Sequence, residues 1–107
     1  MNTPPSVEYQ MVFEFKGDSP RQFERLIALE SKMDEKLQSG VVDGNDVGKG
    51  VVNIFVITKE PDRCFEEIMG MIAPAKLPLS AAAYRESQGD RYVRLWPEGD
   101  STAFELK

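Results

Sequence analysis

Three stretches of this chain hold residue types that could do chemistry at the spacing they have. The richest is Asp43-Gly44-Asn45-Asp46-Val47-Gly48-Lys49-Gly50, where carboxylates and an amide are interleaved with glycine. As a calcium loop it would place Asp43 and Asn45 at the first and third ligand positions and Gly48 at the sixth. Val47 then takes the fifth position and Ile54 the twelfth, where a bidentate Glu is needed. As a phosphate loop it would need G-x-x-x-x-G-K-[ST]; Gly44, Gly48 and Lys49 fall one residue short, Gly50 brings no hydroxyl for magnesium, and a strand follows instead of a helix. The stretch reads instead as a long hairpin whose glycines allow positive φ and whose Asp and Asn side chains cap their own backbone. Asp43, Asn45 and Asp46 are its candidate binding residues.

Asn53 is the second candidate, because an amide within Val51-Val52-Asn53-Ile54-Phe55 is disfavoured in a strand and must find hydrogen-bond partners if buried. On the open side of its strand it would bond a neighbouring loop; beside Asp43 and Asp46 it would complete a small polar pocket at one end of a sheet. The third candidate is Tyr92, Arg94 and Trp96, which strict alternation puts on one side of a strand. On an RNA-binding sheet such residues stack bases, but the chain has no K/R-G-F/Y-G/A-F-V-x-F/Y run. Trp, Tyr and Arg are also the types enriched at protein interfaces, which suits a docking or dimer surface better. Cross-strand packing alone is the simplest account.

Other chemistries lack their residues. The chain has no histidine, which removes the usual general base at neutral pH, the Ser-His and Cys-His pairs, and the commonest ligand of zinc, copper and iron. Cys64 is the one cysteine, so neither an internal disulfide nor a thiolate cluster can form. It falls in an amphipathic helix with no cationic cluster to stabilise a thiolate, which makes it a structural thiol. Asp34-Glu35 and Glu66-Glu67 are adjacent in helices and point different ways, unlike the facing carboxylates of acid/base catalysis. No catalytic residue, metal site or cofactor site is expected.

The elements that must position these residues follow from periodicity. Val7 to Lys16 alternates, with Val7, Tyr9, Met11, Phe13 and Phe15 on one side. Ser19-Pro20-Arg21-Gln22 has the form of a helix start, with a Ser cap, Pro at the first helical position and Gln three residues after the cap. That helix should run to about Ser39 with Gly40 as its stop, with Phe23, Leu26, Ile27, Leu29, Met33 and Leu37 forming an apolar stripe. Gly40 to Gly50 reads as a short edge strand and a glycine-rich connection in which Asp43-Gly44 and Asn45-Asp46 favour tight turns. Val51 to Thr58 is apolar on both sides, the mark of a central strand. Pro61 opens a second helix whose Phe65, Ile68, Met69 and Ile72 share one face, with Pro74 and Pro78 bounding its end. Leu79 to Glu86 and Arg91 to Trp96 form a hairpin about Gln88-Gly89-Asp90. Ser101 to Lys107 is a tail or a short added strand.

The order β, α, β, β, α, β, with a final β, predicts an α+β, ferredoxin-like two-layer sandwich: an antiparallel sheet with two helices on one face, as one domain over residues 1–107. The first strand and the Val51 to Thr58 strand should be inner. The face without helices should gather Val12 and one side each of Val51 to Thr58 and Arg91 to Trp96. Such a patch calls for a homodimer through the open sheet face or for coverage by the Ser101 to Lys107 tail.

Composition agrees with an ordinary globule, at 41% apolar and 29% charged residues. Eighteen acids against thirteen bases give a net charge of −5, which opposes nucleic acid and suits a basic protein partner. The longest apolar run, Ile54 to Ile57, is far below the roughly 18 residues of a membrane span, so no membrane partner is expected. The opening MNTPPSVEY has neither the basic end nor the apolar stretch of a signal peptide, and a cytoplasmic location is expected.

The run from Asp43 to Thr58, with Pro61 following, resembles a pattern, D-G-x-D-x-G-x-G-x-x-N-I-F-x-x-T-x-x-P, of small uncharacterised bacterial ferredoxin-like (α/β-plait) proteins. The resemblance covers about 20 of 107 residues and brings no established activity. The commonest variant of the pattern carries His where this chain has Asn45. Some relatives of this kind sit beside toxins as immunity-type proteins, which implies a non-catalytic binding or regulatory protein acting through protein contacts. The competing class is a small-molecule sensor or enzyme of the dimeric ferredoxin-like kind, with Tyr84, Asn53, Arg94 or Trp96 orienting a ligand between sheet and helices.

Overall fold

The computed structural model describes residues 7–17, 19–99, 103, 104 and 106. Five strands and two helices follow in the order β1 (Tyr9–Lys16), α1 (Pro20–Lys36), β2 (Gly40–Gly48), β3 (Val51–Thr58), α2 (Pro61–Ala75), β4 (Leu79–Glu86) and β5 (Val93–Trp96). All strands join one antiparallel sheet in the order β2-β3-β1-β4-β5, an α+β architecture with β3, β1 and β4 inside. No helix among the described residues is long and apolar enough to cross a membrane.

Alternation assigns the two faces. Met11, Phe13 and Phe15 of β1 lie opposite Val56, Ile54 and Val52 of β3, and all are buried under Leu26, Leu29 and Met33 of α1 and Cys64, Ile68 and Ile72 of α2. Phe13 stacks on Phe65 at 6.3 Å between centroids. The core between sheet and helices is therefore filled with side chains. On the reverse face Val12, Ala81 and Ala83 are buried beneath Phe104, with Phe55 and Tyr92 packed around them. Val12, Phe55 and Tyr92 are expected there, Ala81 and Ala83 are not, and Phe104 covers the cluster; of the Ser101 to Lys107 segment only residues 103, 104 and 106 are among the described residues.

The local differences from expectation have identifiable causes. α1 starts as its Ser19 cap directs, the hydroxyl accepting from Gln22 N at 3.1 Å. It ends at Lys36, one turn early, because Leu37 takes an extended conformation. Gly40 is not the stop but the first residue of β2. A Cβ there would stand 2.9 Å from Ile57 O and 3.0 Å from Cys64 Sγ, so glycine is required by close packing. Pro74 lies within the last turn of α2, and the helix ends on Lys76 in the left-handed region (φ 54°).

The largest revision concerns residues 40–50. Gly40–Gly48 forms a nine-residue edge strand, instead of a short strand followed by a loop. Asp43-Gly44 is a bulge, not a turn: the register shifts between Val42 and Gly44, and Gly44 adopts φ +114°. The reversal is instead at Lys49-Gly50, both with positive φ (55° and 74°), as a two-residue hairpin matched to strand twist demands. A second register shift, between Ala82 and Ala83, breaks the alternation of β5.

Two glycines separate packing from propensity. Gly40→Ala is expected to cost about 1–3 kcal/mol by overpacking. Gly70→Ala, within α2 and with nothing near the added Cβ, is expected to stabilise by about 0.5–1 kcal/mol. Urea denaturation of both variants checks the two signs.

Candidate functional site

β2 is the outermost strand on its side of the sheet, so one row of its backbone groups faces β3 and the other faces outward. Beside it runs α1. The residues Leu26, Leu29 and Met33 face the core, which leaves Phe23, Ile27, Glu30 and Asp34, at i, i+4, i+7 and i+11, as the neighbouring stripe. Ile27, Glu30 and Asp34 form one wall of a groove of about 370 Å³ whose other wall is Val42, Gly44 and Asn45 of β2. The groove is lined by apolar Ile27 and Val42 and by the carboxylates of Glu30 and Asp34.

Register places each residue of the edge. Asn45 lies opposite Ile54, on the helix side, and its Nδ2 donates to Glu30 Oε1 at 2.7 Å, tying the strand to α1. Asp46 lies opposite Asn53, on the reverse side. Asp43 is the residue displaced by the bulge and is exposed. Val41 and Val47 are 68% and 49% exposed, although β-branched residues in a sheet are ordinarily packed. The edge thus combines an open backbone row, exposed valines and the carboxylates of Glu30, Asp34, Asp43 and Asp46, with Lys49 at the hairpin tip.

No family model, curated protein or solved structure matches this chain.

The remaining sequence-predicted residues divide between the two faces. Asn53 is 1% exposed and sits on the reverse face in a row with Asp46 and Glu14, itself only 6% exposed. Asp43 is three β3 positions away, so the pocket of Asp43, Asp46 and Asn53 is not assembled. Tyr92 and Arg94 are on the reverse face around Phe104: the Tyr92 ring is 5.0 Å from it and the Arg94 guanidinium 5.6 Å. Trp96 is not with them. The register shift turns it to the helix side, where it packs against the main core and donates Nε1–H to Leu79 O at 3.2 Å.

Two polar clusters had no signal in the sequence. Arg85 donates to Tyr92 Oη, to Gln10, and to the carbonyls of Glu86, Ser87 and Gly89, which pins the β4–β5 turn. Glu67 of α2 accepts from the backbone N–H of Gln38 and Ser39, each at 3.0 Å, and from the Ser39 hydroxyl, holding the chain that leads from α1 into β2. Thr58 Oγ1 completes the latch by donating to Ser39 O and accepting from Glu60 N at 3.0 Å. The Ser39 hydroxyl is the main cause that holds the Glu67 pKa below the ordinary carboxylate value; the N–H groups of Gln38 and Ser39 add to it. Burial pushes the Cys64 thiol above its ordinary value, against hydrogen bonding with Ser39 and Thr58. A raised pKa and full burial keep Cys64 a thiol, as a core residue should be.

The latch sets an acid dependence. Because the native pKa of Glu67 is depressed, its stabilisation is present above the ordinary carboxylate value and is lost as pH falls through the native one. Glu67→Gln is therefore expected to destabilise at neutral pH, with the difference from wild type closing in acid. Urea midpoints at about pH 7 and about pH 3 check this; an equal difference at both would show that the charge does not hold the loop.

Proposed function

We propose that this chain is a non-catalytic, ferredoxin-like binding module that recognises a protein partner through the β2 edge and the adjoining α1 groove. For the ferredoxin-like reading, the strand order β2-β3-β1-β4 with both helices against one face is the support, and β5 is an addition beyond β4. For the surface, the carrying observation is the pairing of a long exposed edge with an acid-lined groove at the very stretch singled out by Asp43, Asn45 and Asp46. The acidic balance of the chain points to a basic partner, as an immunity-type or regulatory role would require.

Two other expectations fit less well. Self-association through the open sheet face would need Phe104 to leave Val12, Ala81 and Ala83, which it already covers. A ligand held by Tyr84, Asn53, Arg94 and Trp96 would need those residues to converge. Tyr84 and Trp96 pack against the helix-side core, whereas Asn53 and Arg94 lie on the reverse face, and the space between sheet and helices is filled.

A photocrosslinking amino acid at position 41, on the edge, and at position 66, exposed on α2, tests this in living cells. The expected outcome is a discrete covalent adduct with a protein of positive net charge from position 41 alone. No adduct at 41, or the same adducts from both positions, would overturn it.

A further inference from the structure

We infer that β2 accepts an additional strand from its partner: an extended, Lys- or Arg-bearing segment that hydrogen-bonds along Gly44–Gly48 and sets alternate side chains into the α1 groove. This rests on the binding reading above and specifies its geometry.

The bulge at Asp43 divides the edge into Val41-Val42 and the run from Gly44 to Gly48; Val42, Gly44 and Asn45 line the groove, and the second run is the one tied to its acidic wall, through Asn45 and Glu30. A strand laid along that run has a two-residue side-chain period. One set of its side chains would face Glu30 and Asp34 on the helix side; the other would fall beside Asp46 on the reverse side. Both sets meet carboxylates, so cationic side chains are favoured on each face, with Lys49 at the tip as the local exception. Ile27, 37% exposed, and Val47 offer apolar contact to the stems of those same side chains.

The charges also decide what the edge refuses. Bulges and inward or flanking charges are how open edges avoid indiscriminate pairing. A second copy of this chain would bring its own Asp43 and Asp46 against these and a further charge of −5, and like charges placed across strands are destabilising. Pairing between two β2 strands is thereby opposed, while a basic strand meets the same carboxylates as attraction. Main-chain hydrogen bonds would supply the contact and the alternating acids its selectivity, the division of labour of strand addition generally.

The test uses the full chain and three capped octapeptides built on a doubled repeat, so that each face of the strand carries both residue types: Lys-Val (Lys-Lys-Val-Val twice), Glu-Val (Glu-Glu-Val-Val twice) and Lys-Pro (Lys-Lys-Pro-Pro twice), the last with the charge of the first but with pairing N–H groups missing from both edges of the strand. Amide hydrogen exchange is followed by NMR, with affinity from chemical-shift titration. The Lys-Val peptide is expected to slow exchange of outward amides within residues 44–48 by about tenfold or more at saturation, with the other two peptides leaving them unchanged. The affinity should fall about tenfold in the double variant Asp43→Lys, Asp46→Lys and in Glu30→Gln, Asp34→Asn, whose folding is confirmed by their own spectra. Equal effects of Lys-Val and Lys-Pro would overturn strand addition, as would protection at β5 or protection that grows with protein concentration and needs no peptide. If position 41 still crosslinks a basic protein while residues 44–48 remain unprotected by Lys-Val, strand addition fails and the binding reading stands; if neither is seen, both fail.

Discussion

The constraint on which the structure depends is that its sheet must be kept dry on both faces with only two helices among the described residues to cover it. β1 shows this most plainly, since Met11, Val12, Phe13, Glu14 and Phe15 are all buried and adjacent residues point to opposite faces. The helices satisfy one face. The other is closed by a different device: two alanines, Ala81 and Ala83, leave a shallow seat beside Val12, and Phe104 fills it. Burial of one aromatic ring is worth on the order of 2 kcal/mol, a substantial share of the net stability of a small domain. Tyr92 and Arg94 hold that ring in place, so the cation and aromatics that suggested an interface find an intramolecular use.

Legibility in the sequence followed how local each determinant is. The helix starts were readable because capping chemistry is confined to a few residues, Ser19-Pro20 and Pro61. The central strands were readable because two-sided hydrophobicity is a strong signal at Val51 to Thr58. What failed were the features in which one extra residue changes everything after it. The bulge at Asp43 converts an expected turn into continuous strand, and the shift between Ala82 and Ala83 sends Trp96 to the opposite face from Arg94. Alternation cannot reveal a bulge, because the pattern on either side of it looks intact.

Gly40 shows the same limit from another direction. Its position after a helix suggested a conformational role, yet its function is to let β2 approach Ile57 O and Cys64 Sγ. That approach is a property of three elements at once. The Glu67 latch is likewise long-range: nothing in Glu66-Glu67 distinguishes the carboxylate that organises residues 38 and 39 from its solvated neighbour.

The two ends of the sheet explain why binding is assigned to one of them. β5 is four residues long, and three of its four side chains are committed inward: Trp96 to Leu79 O, Arg94 to Phe104, and Leu95 against the core, with Val93 exposed. Its outer edge is short, which is one way a sheet avoids further pairing. β2 is nine residues long, and Val41 and Val47 project from it with little cover. A nine-residue edge with no outer partner strand among the described residues is a liability unless its chemistry selects what may pair with it. The carboxylates flanking β2 provide that selection, and the tie from Asn45 to Glu30 keeps the strand flush with the groove, so the edge is held ready and restricted by the same few side chains.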